Sequence, residues 1–157
     1  MSINTKVLFL PMGGSIEGVD SVTGKTGGDP EWSATYDTFV HHKLPNCFNV
    51  ETNCKVVRKK DSSKLDSYDR ESLLGAIVHN FRKHDVTRFI VPHGTATIEI
   101  TRNYLLRNLP NEIVGQVSIA LVGAEQVATD PQSDAPWKVG FALGSILHQK
   151  GIILAVS

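Results

Sequence analysis

Short apolar runs that stop abruptly at turn residues set the limits on what this chain can fold into. Lys6 to Leu10 is ended by Pro11 and the Gly13-Gly14 pair, Phe89 to Val91 runs into His93-Gly94, and Val117 to Val122 is closed by Gly123. Continuous apolar runs of that length, without polar alternation, fit strands covered on both faces. Cys54 to Arg58 supplies a second strand, with Asp61-Ser62-Ser63 as the loop at its carboxyl end, and Ile152 to Val156 a fifth.

The intervening stretches carry helical spacing. Leu73, Leu74, Ile77, Val78 and Phe81 recur on one helix face, with Asp66 or Ser67 as the cap. Ile98 to Leu109 has helical length and a partly apolar face, ended by Pro110. Asp134-Ala135-Pro136 starts another helix, Asp134 capping it and Pro136 sitting in its first turn. Trp137, Phe141, Ile146 and Leu147 give that helix apolar bulk for one side, and Gly151 ends it. Strand and helix alternation predicts an α/β fold, a three-layer αβα arrangement around a mostly parallel Rossmann-like sheet. No repeat, low-complexity tract or linker divides the chain, so residues 1–157 are read as one domain. From Gly18 to Lys43, glycines and Asp29-Pro30 among polar residues predict a long loop of the lid type.

Several function classes drop out. Sixteen acidic and sixteen basic residues leave no net field to draw nucleic acid or an anionic membrane surface. The apolar runs fall far short of the roughly 20 residues that a membrane helix needs. Cys47 and Cys54 make no disulfide framework and no secretory leader opens the chain, so the expected compartment is the cytoplasm. Gly24-Lys25-Thr26 fails as a phosphate loop, because the glycine required five residues earlier is Val19. His41 and His42 are adjacent, and no histidine has a ligand spacing with Cys47 or Cys54, so neither metal nor cofactor is expected.

The residues with chemistry in them are hydroxyls. In parallel sheets ligands bind at the carboxyl ends of strands. Ser15, Ser62, Ser63, Thr95 and Thr97 all fall in predicted loops at such ends. Gly-Gly-Ser is also ordinary turn chemistry, and His93 at a strand end is a structural hydrogen-bonding group before it is a proton carrier. Clustered hydroxyls and helix-start amides can hold a small carboxylate, and one hydroxyl can act as a nucleophile beside a base.

Gly13-Gly14-Ser15-Ile16, Asp61-Ser62-Ser63, His93-Gly94-Thr95-Ala96-Thr97-Ile98-Glu99, and Val122-Gly123-Ala124 followed by Ser133-Asp134-Ala135-Pro136 occur in one order across nearly the whole chain. Together they resemble the amino-terminal domain of the bacterial-type asparaginases and glutaminases. The resemblance implies that Ser15 is the nucleophile attacking a side-chain amide and that Thr95 is the second catalytic hydroxyl. It assigns substrate contacts to Gly14, Ser62, Ser63, Gly94 and the position of Ala96, with Ser62 on the substrate carboxylate. Tyr36, alone in the corresponding stretch, carries over as the lid tyrosine. The family's tight dimers and tetramers imply a homo-oligomer.

The chain also departs from the family. Met12 replaces the first threonine of the first motif, and Ala96 replaces the aspartate that binds the substrate ammonium and belongs to the relay activating the second threonine. The relay lysine lies beyond the strand at Ile152 to Val156, past Ser157, and the carboxyl-terminal domain has no counterpart in residues 1–157. Losing a buried carboxylate that pairs with an ammonium costs about 2 to 5 kcal/mol, which weakens binding roughly 30-fold to several thousand-fold. Three readings follow. One is an amidohydrolase of L-asparagine or a similar small amide, with the relay aspartate and lysine missing. Another is a non-catalytic relative that binds a small amino acid or dicarboxylate, or a protein partner, at the same cleft. The third is a piece of a two-domain enzyme.

Overall fold

The computed structural model describes residues 5–14, 16, 50–126 and 130–156. The loop predicted from Gly18 to Lys43, with Tyr36, Gly24-Lys25-Thr26 and His41-His42, lies outside the described residues, as do Ser15 and Cys47.

Among the described residues, five parallel strands form one sheet in the order β2-β1-β3-β4-β5. They are β1 (Thr5–Phe9), β2 (Val50–Cys54), β3 (Arg88–Pro92), β4 (Ser118–Val122) and β5 (Gly151–Ala155). The α-helices among the described residues are α1 (Ser67–His84), α2 (Ile98–Asn108), the single turn α3 (Asn111–Val114) and α4 (Ala135–His148). Side chains alternate across the sheet, as strand geometry requires. Leu8, Phe89, Val91, Ile119 and Leu121 pack against Leu73, Ile77, Leu105 and Ile113 from α1, α2 and α3. Phe9, Ile90, Ala120 and Val122 pack against Val139, Ala142, Leu143 and Ile146 from α4. The αβα layering follows from these two cores.

The crossovers through α1 and α2 move across the sheet in the same direction and lie on the same face. The crossover through α4 moves in that direction on the other face, so it has the opposite hand. With the first two in the right-handed form that twisted sheets favour, the last is left-handed.

Several sequence expectations need correction. β2 covers Val50–Cys54, not Cys54 to Arg58. It is an edge strand whose burial alternates, so its polar residues carry no apolar run; beyond it the N–H groups of Val57 and Arg58 both donate to the Pro11 carbonyl, as a loop. Asp134 precedes α4 but makes no cap hydrogen bond; its carboxylate accepts from the backbone of Glu125 and Gln126 instead. The helix ends before Gln149, and Gly151 is the first residue of β5, where its φ of +103° favours glycine. Trp137 and Phe141 are 82% and 54% exposed, because the buried stripe Ala135, Val139, Ala142, Leu143 and Ile146 puts them on the opposite side of the helix. No helix among the described residues is long and apolar enough to cross a membrane.

Candidate active site

With β1 and β3 side by side, the connection after β1 runs toward β2 while that after β3 runs toward β4. Such a switch point opens a crevice at the carboxyl ends of the two strands. Gly13-Gly14 leaves β1 there and His93-Gly94-Thr95 leaves β3.

The two turns are locked to each other and to the loop after β2. Met12 N–H donates to the Pro92 carbonyl at 2.8 Å, and Gly14 N–H to the Lys60 carbonyl at 3.1 Å. Gly13 and Gly14 have φ of +107° and +89°, which disfavour any side chain. A Cβ on Gly14 would fall 2.4 Å from the Gly94 nitrogen, and one on Gly94 would fall 2.5 Å from Ser62 Oγ. One on Gly123, after β4, would fall 2.7 Å from Thr95 Cγ2. Glycine is needed at these places because four loop ends meet here, Gly14 against the Gly94 backbone, Gly94 against the Ser62 side chain and Gly123 against that of Thr95.

The hydroxyls divide into two groups. Ser62 is 3% exposed against Gly94, and Thr97 Oγ1 donates to the Ser62 carbonyl at 2.7 Å. Ser63 is exposed and is bound to Asp61, whose carboxylate accepts from both the Ser63 N–H and its hydroxyl. Thr95 and Ala96 are exposed and line a cleft with Ile98, Glu99, Ile100 and Val156. The structure therefore brings Gly14, Ser62, Gly94, Thr95 and Ala96 into one place, with Ser63 on its rim. The positions assigned to Ser15 and Tyr36 lie outside the described residues.

His93 is fully buried, and burial lowers its pKa to about 4, with the Arg70 charge adding to the effect against a hydrogen bond to Gly94 that raises it. It is neutral at pH 7. Its Nδ1 lies 2.7 Å from the Gly94 carbonyl oxygen, which can only accept, so Nδ1 carries the proton. Nε2 then accepts from Thr101 Oγ1 at 2.8 Å. With both nitrogens occupied, His93 is a structural group, as the sequence suggested.

Beneath the site, Asp69 holds Lys60 and Arg58 at 2.8 and 2.6 Å. Burial pushes the Asp69 carboxyl up, but hydrogen bonds from Lys60, the Asp66 backbone and Arg58 outweigh it and bring its pKa down to about 2. Asp69 is also half of a capping box with Asp66, which starts α1. Among the described residues no group of three or more His, Cys, Asp or Glu side chains can hold a metal ion.

Sequence reasoning passed over Arg70 and Thr101. Arg70 falls on the stripe of Leu73 and Ile77, and Thr101 on that of Ile98 and Leu105; polar residues at those helical positions were the available signal.

The family model described as "Asparaginase, N-terminal" matches residues 6–154. No curated protein matches the sequence. Among solved structures, a probable cytoplasmic L-asparaginase from Campylobacter jejuni is similar at a TM-score of 0.74 and 20% identity, over 98% of this chain and 45% of that one. The thermostable L-asparaginase from Thermococcus kodakarensis gives 0.74 and 22%, over 96% and 44%. L-asparaginase I from Vibrio cholerae gives 0.70 and 20%, over 92% and 41%. The chain thus spans less than half the length of these structures, and at such identity the likeness shows the fold.

Proposed function

The chain belongs to the asparaginase family, whose amino-terminal domain it matches over residues 6–154, and we propose that it is an amidohydrolase acting on the side-chain amide of L-asparagine or a similar small amide. One observation carries this reading: the loop ends after β1, β2 and β3 meet at the switch point so closely that Gly14, Gly94 and Ser62 touch, with Thr95 exposed beside them.

In the proposed reaction the Ser15 hydroxyl adds to the amide carbonyl carbon and its proton passes to the nitrogen. Collapse of the tetrahedral oxyanion breaks the C–N bond, releases ammonia and leaves an ester on Ser15. Water then adds to the ester, the C–O bond breaks, the serine hydroxyl is restored and a carboxylic acid departs. Ser62 holds the substrate carboxylate, joined by Ser63 once its hydroxyl turns from Asp61, and Thr95 assists as the second hydroxyl. The Gly14 N–H is spent on Lys60, so the backbone donors for the oxyanion come from the start of the helical turn at Thr95–Thr97. His93 cannot serve as the base, since both its nitrogens are engaged, and the Lys60 ammonium is tied to Asp69. Residues 1–157 act in this reading as a single amino-terminal-type domain, in a cytoplasmic homo-oligomer.

Ammonia release from L-asparagine and L-glutamine tests the proposal. Turnover that disappears in both Ser15→Ala and Thr95→Ala supports it, and turnover equal in wild type and Ser15→Ala sinks it.

A second reading rests on Ala96, whose methyl group lines the cleft beside Thr95 where the family has an aspartate. In this reading the site binds a small dicarboxylate without turning it over. Calorimetric titration with succinate and aspartate separates the two: succinate binding at least as tightly as aspartate, with no ammonia release, favours the binder.

A further inference from the structure

Arg70 is a buried cation on α1, 7% exposed, and no carboxylate among the described residues pairs with it. Isolated buried charges are costly, so the position is worth explaining. Its Nη1 donates to the Leu65 carbonyl at 3.2 Å, in the loop that carries Ser62. Its Nε donates to Thr101 Oγ1 at 3.1 Å, on the helix that continues from the Thr95 turn.

From there every proton has a fixed place. Thr101 accepts from Arg70 and gives its own proton to His93 Nε2 at 2.8 Å, and His93 Nδ1–H donates to the Gly94 carbonyl at 2.7 Å. The cation orients the Thr101 dipole with its oxygen toward Arg70 and its hydrogen toward His93, and bonds in such a chain polarise one another. The other tautomer of His93 would need Thr101 oxygen as its acceptor and would set an Nδ1 lone pair against the Gly94 oxygen.

We infer that Arg70 is a positioning residue for the strand-end site: its two contacts tie the loop that carries Ser62 to the helix that follows the Thr95 turn, and through Thr101 it holds His93 in the one tautomer that anchors Gly94. This rests on the proposed function only in taking the Thr95 turn as the working part of the site. A lysine, a point charge on a flexible stem, can reach one of the two partners and not both.

The test reads the imidazole nitrogens of His93 by 15N NMR at pH 7 in the full chain, beside amide hydrolysis. Wild type is expected to show the Nδ1-protonated form alone. Arg70→Met is expected to populate the Nε2-protonated form to roughly a fifth or more, and Arg70→Lys to restore the wild-type tautomer by reaching Thr101. Where wild type releases ammonia, Arg70→Met is expected to lower kcat about tenfold with KM changed less than about threefold, because the turn is displaced rather than removed. If Arg70→Met does not fold, Arg70→Leu replaces it; this offers Thr101 no donor, and its Nε2-protonated fraction must also exceed that of wild type. An unchanged tautomer in a folded Arg70→Met or Arg70→Leu overturns the inference. Absence of turnover in wild type overturns the amidohydrolase reading and leaves the tautomer result to decide this one.

Discussion

Replacing Gly94 by alanine is expected to destabilise the protein through one neighbour, and removal of that neighbour's side chain is expected to restore most of the loss. The Gly94 backbone, at φ −76° and ψ 143°, suits an alanine, so no conformational strain arises. The new Cβ would sit 2.5 Å from Ser62 Oγ and 2.6 Å from Ser62 Cβ, so one of the loops must shift by about 1 Å to reach ordinary contact. Overpacking of that kind costs about 1 to 3 kcal/mol. Ser62→Gly alone costs about 0.5 to 1 kcal/mol from added freedom of the unfolded chain. In the double variant both offending atoms are gone and the nearest remaining contact is Ser62 N at 3.3 Å. Its total loss should approach that of Ser62→Gly alone, a coupling of about 1 to 3 kcal/mol between the sites. Urea unfolding followed by far-UV circular dichroism measures all three variants. Gly14→Ala is the control: its Cβ would meet the Gly94 backbone at 2.4 Å with φ at +89°, so Ser62→Gly gives it no relief. Additive losses for Gly94→Ala and Ser62→Gly would falsify the close packing of the two loop ends.

Three further outcomes follow from the same structure. The Asp69 carboxyl is held down at about 2, so the stability it contributes is present above its unfolded pKa and lost as pH falls from about 4 through 2; with Lys60 and Arg58 partly exposed the loss is about 1 to 2 kcal/mol, and Asp69→Asn should flatten acid unfolding there. His93 is held neutral with its pKa near 4, so the unfolded chain binds more protons between pH 6.5 and 4 and stability falls by up to about 3 kcal/mol on acidification; urea midpoints of His93→Asn across that window should lose this slope. Thr95→Ala removes an exposed side chain, so it should shift stability by less than about 0.5 kcal/mol while removing ammonia release, as thermal melts and the ammonia assay would register.

Legibility in the sequence tracked burial. β1, β3 and β4 are covered on both faces and have continuous apolar runs, so the sequence located them to within a residue or two. β2 was displaced because its outward residues Glu51 and Asn53 break any run, and the apolar Val56-Val57 that follows it is loop. Trp137 misled because side-chain size is no guide to facing, whereas the spacing from Val139 to Ile146 is. At the site, the turns bearing Gly14, Gly94 and Thr95 were legible from their motifs. The buried chain from Arg70 to His93 was not, since Arg70 lies 23 residues before His93 and no local pattern links them.

The pairing of β1 with β3 also dictates when the site can come into being. Leu8 and Phe89 are roughly eighty residues apart, and the β2 neighbour of β1 begins only at Val50. At a synthesis rate of about 5 to 20 residues per second, the run from Val7 to Leu10 waits roughly 4 to 16 seconds on a growing chain before its central partner exists. Closing so long a loop delays folding more than it weakens the finished fold. The crevice therefore cannot assemble before the chain has passed β3, and ligand binding there reports that the long-range pairing of β1 with β3 has formed.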